Sequence, residues 1–170
     1  MIMILKLAIL FSAFLGMELV AHVMHKYVMH GFLWSLHRSH HQKGKSFFER
    51  NDLYFLLFAT PGIILLFTGL NSGYDWKFFA GLGISLYGFA YLLVHDIIIH
   101  QRVRWFTKSN NIYITALRRA HKAHHSSTGK EADQSFGMLW VNRKYFNYPA
   151  GSTRRRVGQI RFFCEHEYPF

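Results

Sequence analysis

The sequence has one cysteine, Cys164, among 170 residues. A single thiol cannot form a disulfide within the chain, so the cysteine content indicates no oxidising compartment. Acidic residues are also scarce, nine against 20 lysines and arginines, which gives a formal net charge of +11. No nucleic-acid-binding motif accompanies this charge, so we expect no nucleic-acid partner. Anionic lipid headgroups or an acidic protein are the partners that the basic residues favour.

Charge is nearly absent from three long apolar segments. Residues 1–24 contain Lys6 and Glu18 as their only charges, and residues 53–70 contain none. Residues 78–99 have His95 and Asp96 as their strongly polar groups. Each segment approaches the ~20 residues that a helix needs to cross the hydrocarbon core. No small-residue cleavage site follows the first segment, which disfavours a signal peptide. The sequence therefore predicts an all-α, integral membrane helical bundle with three or four spanning helices.

The basic residues follow the topology that three spans would impose. Residues 25–52 and 100–170 would lie on one side of the membrane and hold 18 of the 20 lysines and arginines. Lys6 and Lys77 are the two on the other side. Because basic loops favour the cytoplasm, we expect a protein of the cytoplasmic (inner) membrane with the basic side inside the cell.

Small and capping residues give two further expectations about the spans. Asn51 and Asp52 precede the second apolar segment and have the chemistry of a helix N-cap. Gly81, Gly83 and Gly88 in the third segment allow close helix packing, or they leave room for a bulky substrate. Both interpretations of the glycines remain open at this point. Residues 111–125 predict a further amphipathic helix at the cytoplasmic surface.

The number and grouping of the histidines indicate a functional site. Eleven of the twelve histidines form four short groups, each at or just beyond the cytoplasmic end of a predicted span. The groups are His22, His25 and His30; His37, His40 and His41; His95 and His100; and His121, His124 and His125. Such grouping at one side predicts a metal site, whereas a metal transporter would place polar groups along a path through the membrane.

Two spacings recur among these histidines. In HxxHH, the first histidine shares a helical face with the other two. In HxxxxH, five residues turn an ideal helix by about 500°, which leaves the two rings about 140° apart. A π-bulge or an irregular helix end would bring them together. We therefore predict irregular helix geometry at residues 25–30 and 95–100.

The order HxxxxH then HxxHH occurs twice, at residues 25–41 and 95–125. Ten candidate ligands exceed the roughly six that one metal takes, so we expect two metals, and imidazole suits Fe, Zn, Cu and Ni. The chain lacks the Glu-x-x-His of soluble di-iron bundles and the His-Glu-x-x-His of zinc proteases. His22 lies outside both repeats, which favours a supporting role over direct ligation.

Carboxylates near the histidines are candidates for positioning them. Glu18 lies within a predicted span and should face the bundle interior, where it could orient His22 or His25. Asp96 and Asp52 could do the same, although a helix cap is the simpler role for Asp52.

Four segments carry a family resemblance: GMELVAHVMHKYVMHGFLWSLHRSHH at 16–41, FFERNDLY at 47–54, LYGFAYLLVHDIIIHQR at 86–102, and RRAHKAHH followed by GKEADQSFGML within 118–139. In them the chain resembles the bacterial β-carotene hydroxylases of the non-haem di-iron type, within the fatty acid hydroxylase and sterol desaturase superfamily. The resemblance implies a membrane-embedded di-iron domain at 1–147 and does not extend to the tail at 148–170. It assigns two iron ions to His25, His30, His37, His40, His41, His95, His100, His121, His124 and His125.

The resemblance also implies an activity. It is hydroxylation of carbon 3 of the β-ionone rings of β-carotene, which gives β-cryptoxanthin and then zeaxanthin. O2 is the co-substrate, and NAD(P)H supplies electrons through ferredoxin reductase and a ferredoxin-type donor, for which a basic cytoplasmic face is suited. The histidines alone leave other activities open. These are hydroxylation or desaturation of a fatty acid, a sterol or a sphingolipid, and 4-ketolation of a carotenoid.

Overall fold

The computed structural model describes residues 2–42, 48–103, 105, 107–126, 129–130 and 135–147. These residues form helices and loops without strands. The expected tail at 148–170 lies outside the described residues. The α-helices are α1 (Met3–Val23), α2 (Trp34–His41), α3 (Leu53–Asn71), α4 (Trp76–Tyr91) and α5 (Ile112–His125). Two π-helical segments, Met24–Phe32 and Leu92–Ile99, continue α1 and α4, and short 3-10 turns lie at Arg50–Asp52 and Arg143–Tyr145.

Three helices in the described part of the chain are long and apolar enough to span a membrane. They are Met3–Phe32, Arg50–Asn71 and Trp76–Ile99, and they contain the three apolar segments of the sequence. Helix α5, at 14 residues, is too short to cross a hydrocarbon core that needs ~20. The prediction of an all-α membrane bundle is confirmed, with three candidate spans rather than four.

Helix α4 packs closely against both other spans through two of its glycines. A Cβ atom on Gly81 would collide with the backbone of Leu66 in α3, and one on Gly83 would collide with the carbonyl of Leu10 in α1. Gly88 is different, because no other element in the described part of the chain comes within 4 Å of the position its Cβ would take. The packing interpretation is therefore confirmed for Gly81 and Gly83, whereas the substrate interpretation stays a prediction for Gly88, beside which there is open space.

Irregular helix geometry occurs at both predicted places. His25 and His30 lie in the first π-helical segment, and His95 lies in the second. The N–H of His100 donates to the carbonyl of His95 at 2.8 Å, a hydrogen bond between residues five apart. A wider turn of this kind brings residues five apart onto one side, as the HxxxxH spacing requires. The prediction is confirmed.

The polar residues before α3 do not act as the sequence suggested. Asp52 precedes the helix, yet its side chain makes no capping hydrogen bond to α3. It accepts instead from the N–H of Glu49 at 3.0 Å, which closes the 3-10 turn Arg50–Asp52. Asn51 turns away from α3 toward His37. Neither side chain therefore caps α3 itself: Asp52 belongs to the capping box of the preceding 3-10 turn and also accepts from Arg102, and Asn51 accepts from His37.

Helix α5 confirms the predicted amphipathic helix. Asn111 caps it by accepting from the N–H groups of Tyr113 and Ile114, at 2.9 and 3.1 Å. Its inner face buries Ala116, Leu117, Ala120, His121 and His124. Arg118 ties it to the end of the third span, since its Nε donates to the carbonyl of Ile98 at 2.9 Å. This placement brings the histidines of α5 to those of the spans.

Candidate metal centre

The ten histidines of the two repeats gather at one end of the bundle. Five form cluster one: His25, His30, His37, His41 and His124. Four form cluster two: His40, His95, His100 and His121. Within each cluster the candidate ligand atoms all lie within 4.8 Å of one another. The tenth, His125, lies beside cluster two, with its ring 4.7 Å from that of His40 and 4.5 Å from that of His121.

Each HxxHH motif contributes to both clusters. On α2, His37 and His41 belong to cluster one, and His40 belongs to cluster two. On α5, His124 joins cluster one and His121 joins cluster two. The two clusters are neighbours, because the ring of His41 stacks on that of His125 at 4.3 Å. Two metal positions side by side are therefore available.

Five of the histidines donate their Nδ1–H to an oxygen atom. The pairs are His25 with the Phe136 carbonyl (3.1 Å), His30 with the Lys130 carbonyl (2.9 Å), His37 with Asn51 Oδ1 (2.6 Å), His40 with Glu49 Oε2 (2.9 Å) and His95 with Asp96 Oδ1 (2.8 Å). Oxygens of these kinds can only accept, so the proton must be on Nδ1. This tautomer leaves the Nε2 lone pair of each ring for a metal.

Facing Nε2 atoms show that the rings fit a cation. Nε2 of His25 lies 3.0 Å from that of His37, and Nε2 of His40 lies 3.2 Å from that of His95. Because all four rings hold their proton on Nδ1, these contacts set lone pair against lone pair, which is repulsive without a positive charge between them. Two nitrogens bound at right angles to one metal at ~2.1 Å would lie about 3.0 Å apart. The observed separations therefore match ligands sharing an ion.

The tenth histidine supports the same conclusion. Nε2 of His125 is buried and has no hydrogen-bond partner among the described residues. A buried imidazole nitrogen without a partner costs free energy, and coordination to a metal would satisfy it.

Burial favours the neutral form of His37, His40 and His121, because it lowers the pKa of each. Removal from water, opposed by the hydrogen bond to Asn51 and aided by His41, lowers the pKa of His37 from 6.5 to about 2. Burial, followed by the neighbouring histidines, also holds the pKa of His40 and of His121 well below the usual value. Neutral imidazole is the form that binds a metal, so the site is ready to do so at neutral pH.

A network of ion pairs supports cluster two. Nη2 of Arg102 lies 2.9 Å from Asp52 Oδ1 and 3.5 Å from Glu49 Oε2, and its Nε lies 3.8 Å from Asp96 Oδ1. Glu49 and Asp96 are the carboxylates that orient His40 and His95. Arg102 therefore balances the negative charge behind two histidines of one cluster.

Sequence reasoning missed Glu49, Asn51 and Arg102. The signal was present, because all three lie in the segments at 47–54 and 86–102 that carry the family resemblance. Asp96 accepts from the adjacent His95, the contact that a positioning role would need, and that role stays a prediction. Among the described residues, Asp52 accepts from Arg102 and from the N–H of Glu49 rather than from a histidine.

Glu18 and His22 lie apart from the clusters. Within the described residues, Glu18 accepts no hydrogen bond from His22 or His25. Its carboxylate instead accepts from the Tyr87 hydroxyl and from backbone N–H groups at 138–140. His22 is exposed and belongs to neither cluster; its ring lies 5.9 Å from that of Phe136.

A cavity of about 300 Å³ runs between the three spans and ends at cluster two. Its walls are mainly apolar side chains of α1, α3 and α4, among them Met17, Phe55, Phe58, Ile63, Ile84 and Leu92. Polar groups are concentrated at one end, where Asn51, Asp52, His95 and Asp96 line it. The cavity also passes Gly88, beside which there is space for a side chain. An apolar molecule could therefore reach the histidines from the membrane.

Comparison with known proteins agrees with this geometry. The fatty acid hydroxylase family matches residues 10–143. The β-carotene hydroxylase of Pantoea ananas is 39% identical over 141 residues, which cover 83% of this chain and 80% of that protein. The β-carotene hydroxylase of Paracoccus sp. (strain PC1) is 36% identical, over 78% of this chain and 82% of that protein. The chloroplastic β-carotene 3-hydroxylase 2 of Arabidopsis thaliana is 38% identical, over 70% and 40%.

No solved structure matches the chain. The matched region nevertheless includes all ten histidines of the two repeats, and it begins before Glu18 and ends at Arg143. The chain therefore belongs to the fatty acid hydroxylase family.

Proposed function

We propose that the protein hydroxylates carbon 3 of the β-ionone rings of β-carotene, giving β-cryptoxanthin and then zeaxanthin. The observation that carries this proposal is the apolar cavity, which connects the membrane-spanning helices to cluster two. β-Carotene is a long hydrocarbon that dissolves in the bilayer, and one of its rings would enter this cavity because the apolar walls can bury it away from water. The names of the relatives support the same substrate.

The clusters are suited to holding two iron ions. Cluster one would hold one ion and cluster two the other, with His125 at the border. When bound, the iron pair would use O2 and electrons to insert one oxygen atom into an unactivated C–H bond and release the other as water. The ten histidines supply neutral nitrogen ligands, and the oxygens behind five of them fix the ring orientation.

The cavity walls would position a hydrocarbon ring and exclude water. Tyr54 and Tyr87 line the cavity, but their hydroxyls donate elsewhere, to the Leu33 carbonyl at 3.2 Å and to Glu18 at 2.7 Å. Their rings therefore present apolar faces to the cavity. Tyr91 also lines the cavity, and its ring stacks on that of His95 in cluster two, with 4.8 Å between the ring centres. The space at Gly88 would admit the bulky ring.

The orientation in the membrane follows from charge. The exposed basic residues, such as Arg143 and Lys144, lie on the side of the histidines. By the positive-inside rule, that side faces the cytoplasm, and the protein resides in the cytoplasmic membrane. Electrons would then reach the iron pair from NAD(P)H through a ferredoxin reductase and an acidic ferredoxin, which the basic face would attract.

Expression in a bacterium that accumulates β-carotene, with a ferredoxin and its reductase, tests the substrate. Chromatography of the pigments should show β-cryptoxanthin and zeaxanthin. The variants His40→Ala and His124→Ala should give neither, because each removes a candidate ligand from one cluster. His22→Ala, a matched control outside both clusters, should retain most of the activity.

Two other results would replace the proposal. A 4-keto product would assign carotenoid ketolation. Unchanged carotene, together with a hydroxylated or desaturated fatty acid or sterol, would assign another lipid to the same metal site. Both outcomes require that the protein is present in the membrane fraction with its metal bound.

A further inference from the structure

Glu18 makes a set of contacts that the metal site does not explain. Its Oε1 accepts from three successive backbone N–H groups, those of Met138 and Leu139 at 2.8 Å and Trp140 at 3.0 Å. Its Oε2 accepts from the Tyr87 hydroxyl at 2.7 Å. Successive N–H groups turned toward one oxygen form an anion-binding concavity. Residues 138–140, which follow α5 in the chain, are thus hydrogen-bonded to a carboxylate in the first span.

The depth of this contact follows from α4. Tyr87 lies 11 residues after Trp76, where the third span begins, which is about 16 Å along an α-helix. A hydrocarbon core is ~30 Å thick, so Tyr87 lies near its middle. Phe14 of α1 packs edge-on against the ring of Tyr87 at 5.7 Å, which puts this part of α1 at the same level. The Glu18 carboxylate, bonded to Tyr87, is therefore well inside the bilayer.

At this depth, Glu18 gives the loop N–H groups an acceptor, and those N–H groups give the carboxylate its donors. Irregular backbone in hydrocarbon must have its N–H groups satisfied by protein, and a carboxylate there must have donors. Gly137 permits the approach, because a Cβ on it would stand 2.8 Å from Oε1 of Glu18. The close contact therefore requires both the acidic residue and the glycine.

The loop has an inner and an outer face. Phe136 and Met138 are 6% and 4% exposed, and the Phe136 ring packs on that of His124 at 5.3 Å. The Phe136 carbonyl accepts from His25 in cluster one. Trp140, in contrast, is 81% exposed at the depth of Glu18. Farther along, Arg143 and Lys144 are exposed and suit a headgroup region.

We propose that residues 136–140 form a re-entrant loop in the leaflet on the histidine side, with Trp140 among the lipid acyl chains and Glu18 as its clamp. The inner face closes cluster one against lipid, and the outer face is a lipid-binding surface. Glu18 is then a positioning residue, which acts on His25 through the carbonyl of Phe136.

Labelling of single cysteines tests the loop without any use of metal or activity. In a Cys164→Ser background, Trp140→Cys and the matched control Arg143→Cys are placed in nanodiscs of phosphatidylcholine and phosphatidylglycerol. A charged, water-soluble maleimide reaches both faces of a nanodisc. The thiol at 140 should react at least about tenfold more slowly than the thiol at 143, because thiolate forms poorly in hydrocarbon. Equal rates would overturn the proposal.

Adding Glu18→Leu to the Trp140→Cys protein tests whether Glu18 holds the loop in place. The labelling rate at 140 should rise toward that at 143, because three backbone N–H groups lose their acceptor and the loop moves to water. An unchanged rate in a folded variant would refute the role of Glu18. If Glu18→Leu does not fold, Gly137→Val serves instead, since its side chain would collide with the same carboxylate and should also raise the rate.

Discussion

Replacing Arg102 by Gln removes a cation that faces three carboxylates beside cluster two. At 2.9 Å and an effective dielectric constant near 20, its Coulombic attraction to Asp52 is about 6 kcal/mol before any desolvation. Breaking a buried pair costs about 3–5 kcal/mol, and the Arg102 side chain is 18% exposed, which weakens the effect. We expect the free energy of unfolding of the metal-free protein to fall by about 2–3 kcal/mol.

The same change should weaken one metal position selectively. Glu49 and Asp96 hold His40 and His95, and loss of such supporting contacts typically lowers metal affinity by about 10–100-fold. Titration of the metal-free protein with Co²⁺ against a chelator would resolve the two affinities. Arg102→Gln should keep one tight position, cluster one, and weaken the other.

Lys77→Gln is the control, because Lys77 pairs with Asp75 at 3.5 Å in a partly exposed position away from the clusters. It should cost less than about 1 kcal/mol and leave both metal affinities unchanged. Equal weakening of both positions by Arg102→Gln, or of neither, would refute the link between this ion-pair network and cluster two.

Three further predictions follow from the cavity, the packing and the charge. Gly88→Leu should fill the open cavity and lower hydroxylation by at least about tenfold with metal content unchanged, as pigment chromatography and metal analysis would show. Gly81→Leu should instead force α3 and α4 apart and destabilise the protein by at least about 1–3 kcal/mol in thermal unfolding, with hydroxylation lost only as the protein unfolds. Metal-free protein should lose stability as pH falls below 6.5, because unfolded histidines bind protons there while native ones such as His37, with a pKa of about 2, do not. The loss is about 1.4 kcal/mol per pH unit for each such histidine, and equal unfolding midpoints at pH 7.5 and 5.5 would contradict it.

Local features of the chain were predictable from the sequence. Apolar segments of about 20 residues predict spans because the thickness of the bilayer sets the length of the helix. The HxxxxH spacing predicts irregular helix geometry, which the structure has as π-helix, because an ideal helix turns His25 away from His30, and His95 away from His100. Both inferences depend on neighbours in sequence and on known dimensions.

Contacts between distant residues were not predictable in this way. The sequence shows two matching sets of histidines, but contacts between rings far apart in the chain decide the clusters: His40 lies against His100 in cluster two, and His41 against His124 in cluster one. Glu18 bonds to backbone 120–122 residues away, which no periodicity signals. The cap pattern at Asn51 and Asp52 placed the start of a helix, but it did not predict that Asn51 accepts from His37 or that Asp52 accepts from Arg102, because both partners are distant in sequence.

Iron content tests most directly the proposal that the two histidine clusters each hold one iron ion. Protein purified without oxygen should contain two iron ions per chain, whereas His124→Ala in cluster one and His121→Ala in cluster two should each contain one. A content well below two in the fresh, folded wild-type protein, or the full two in either variant, would contradict the account.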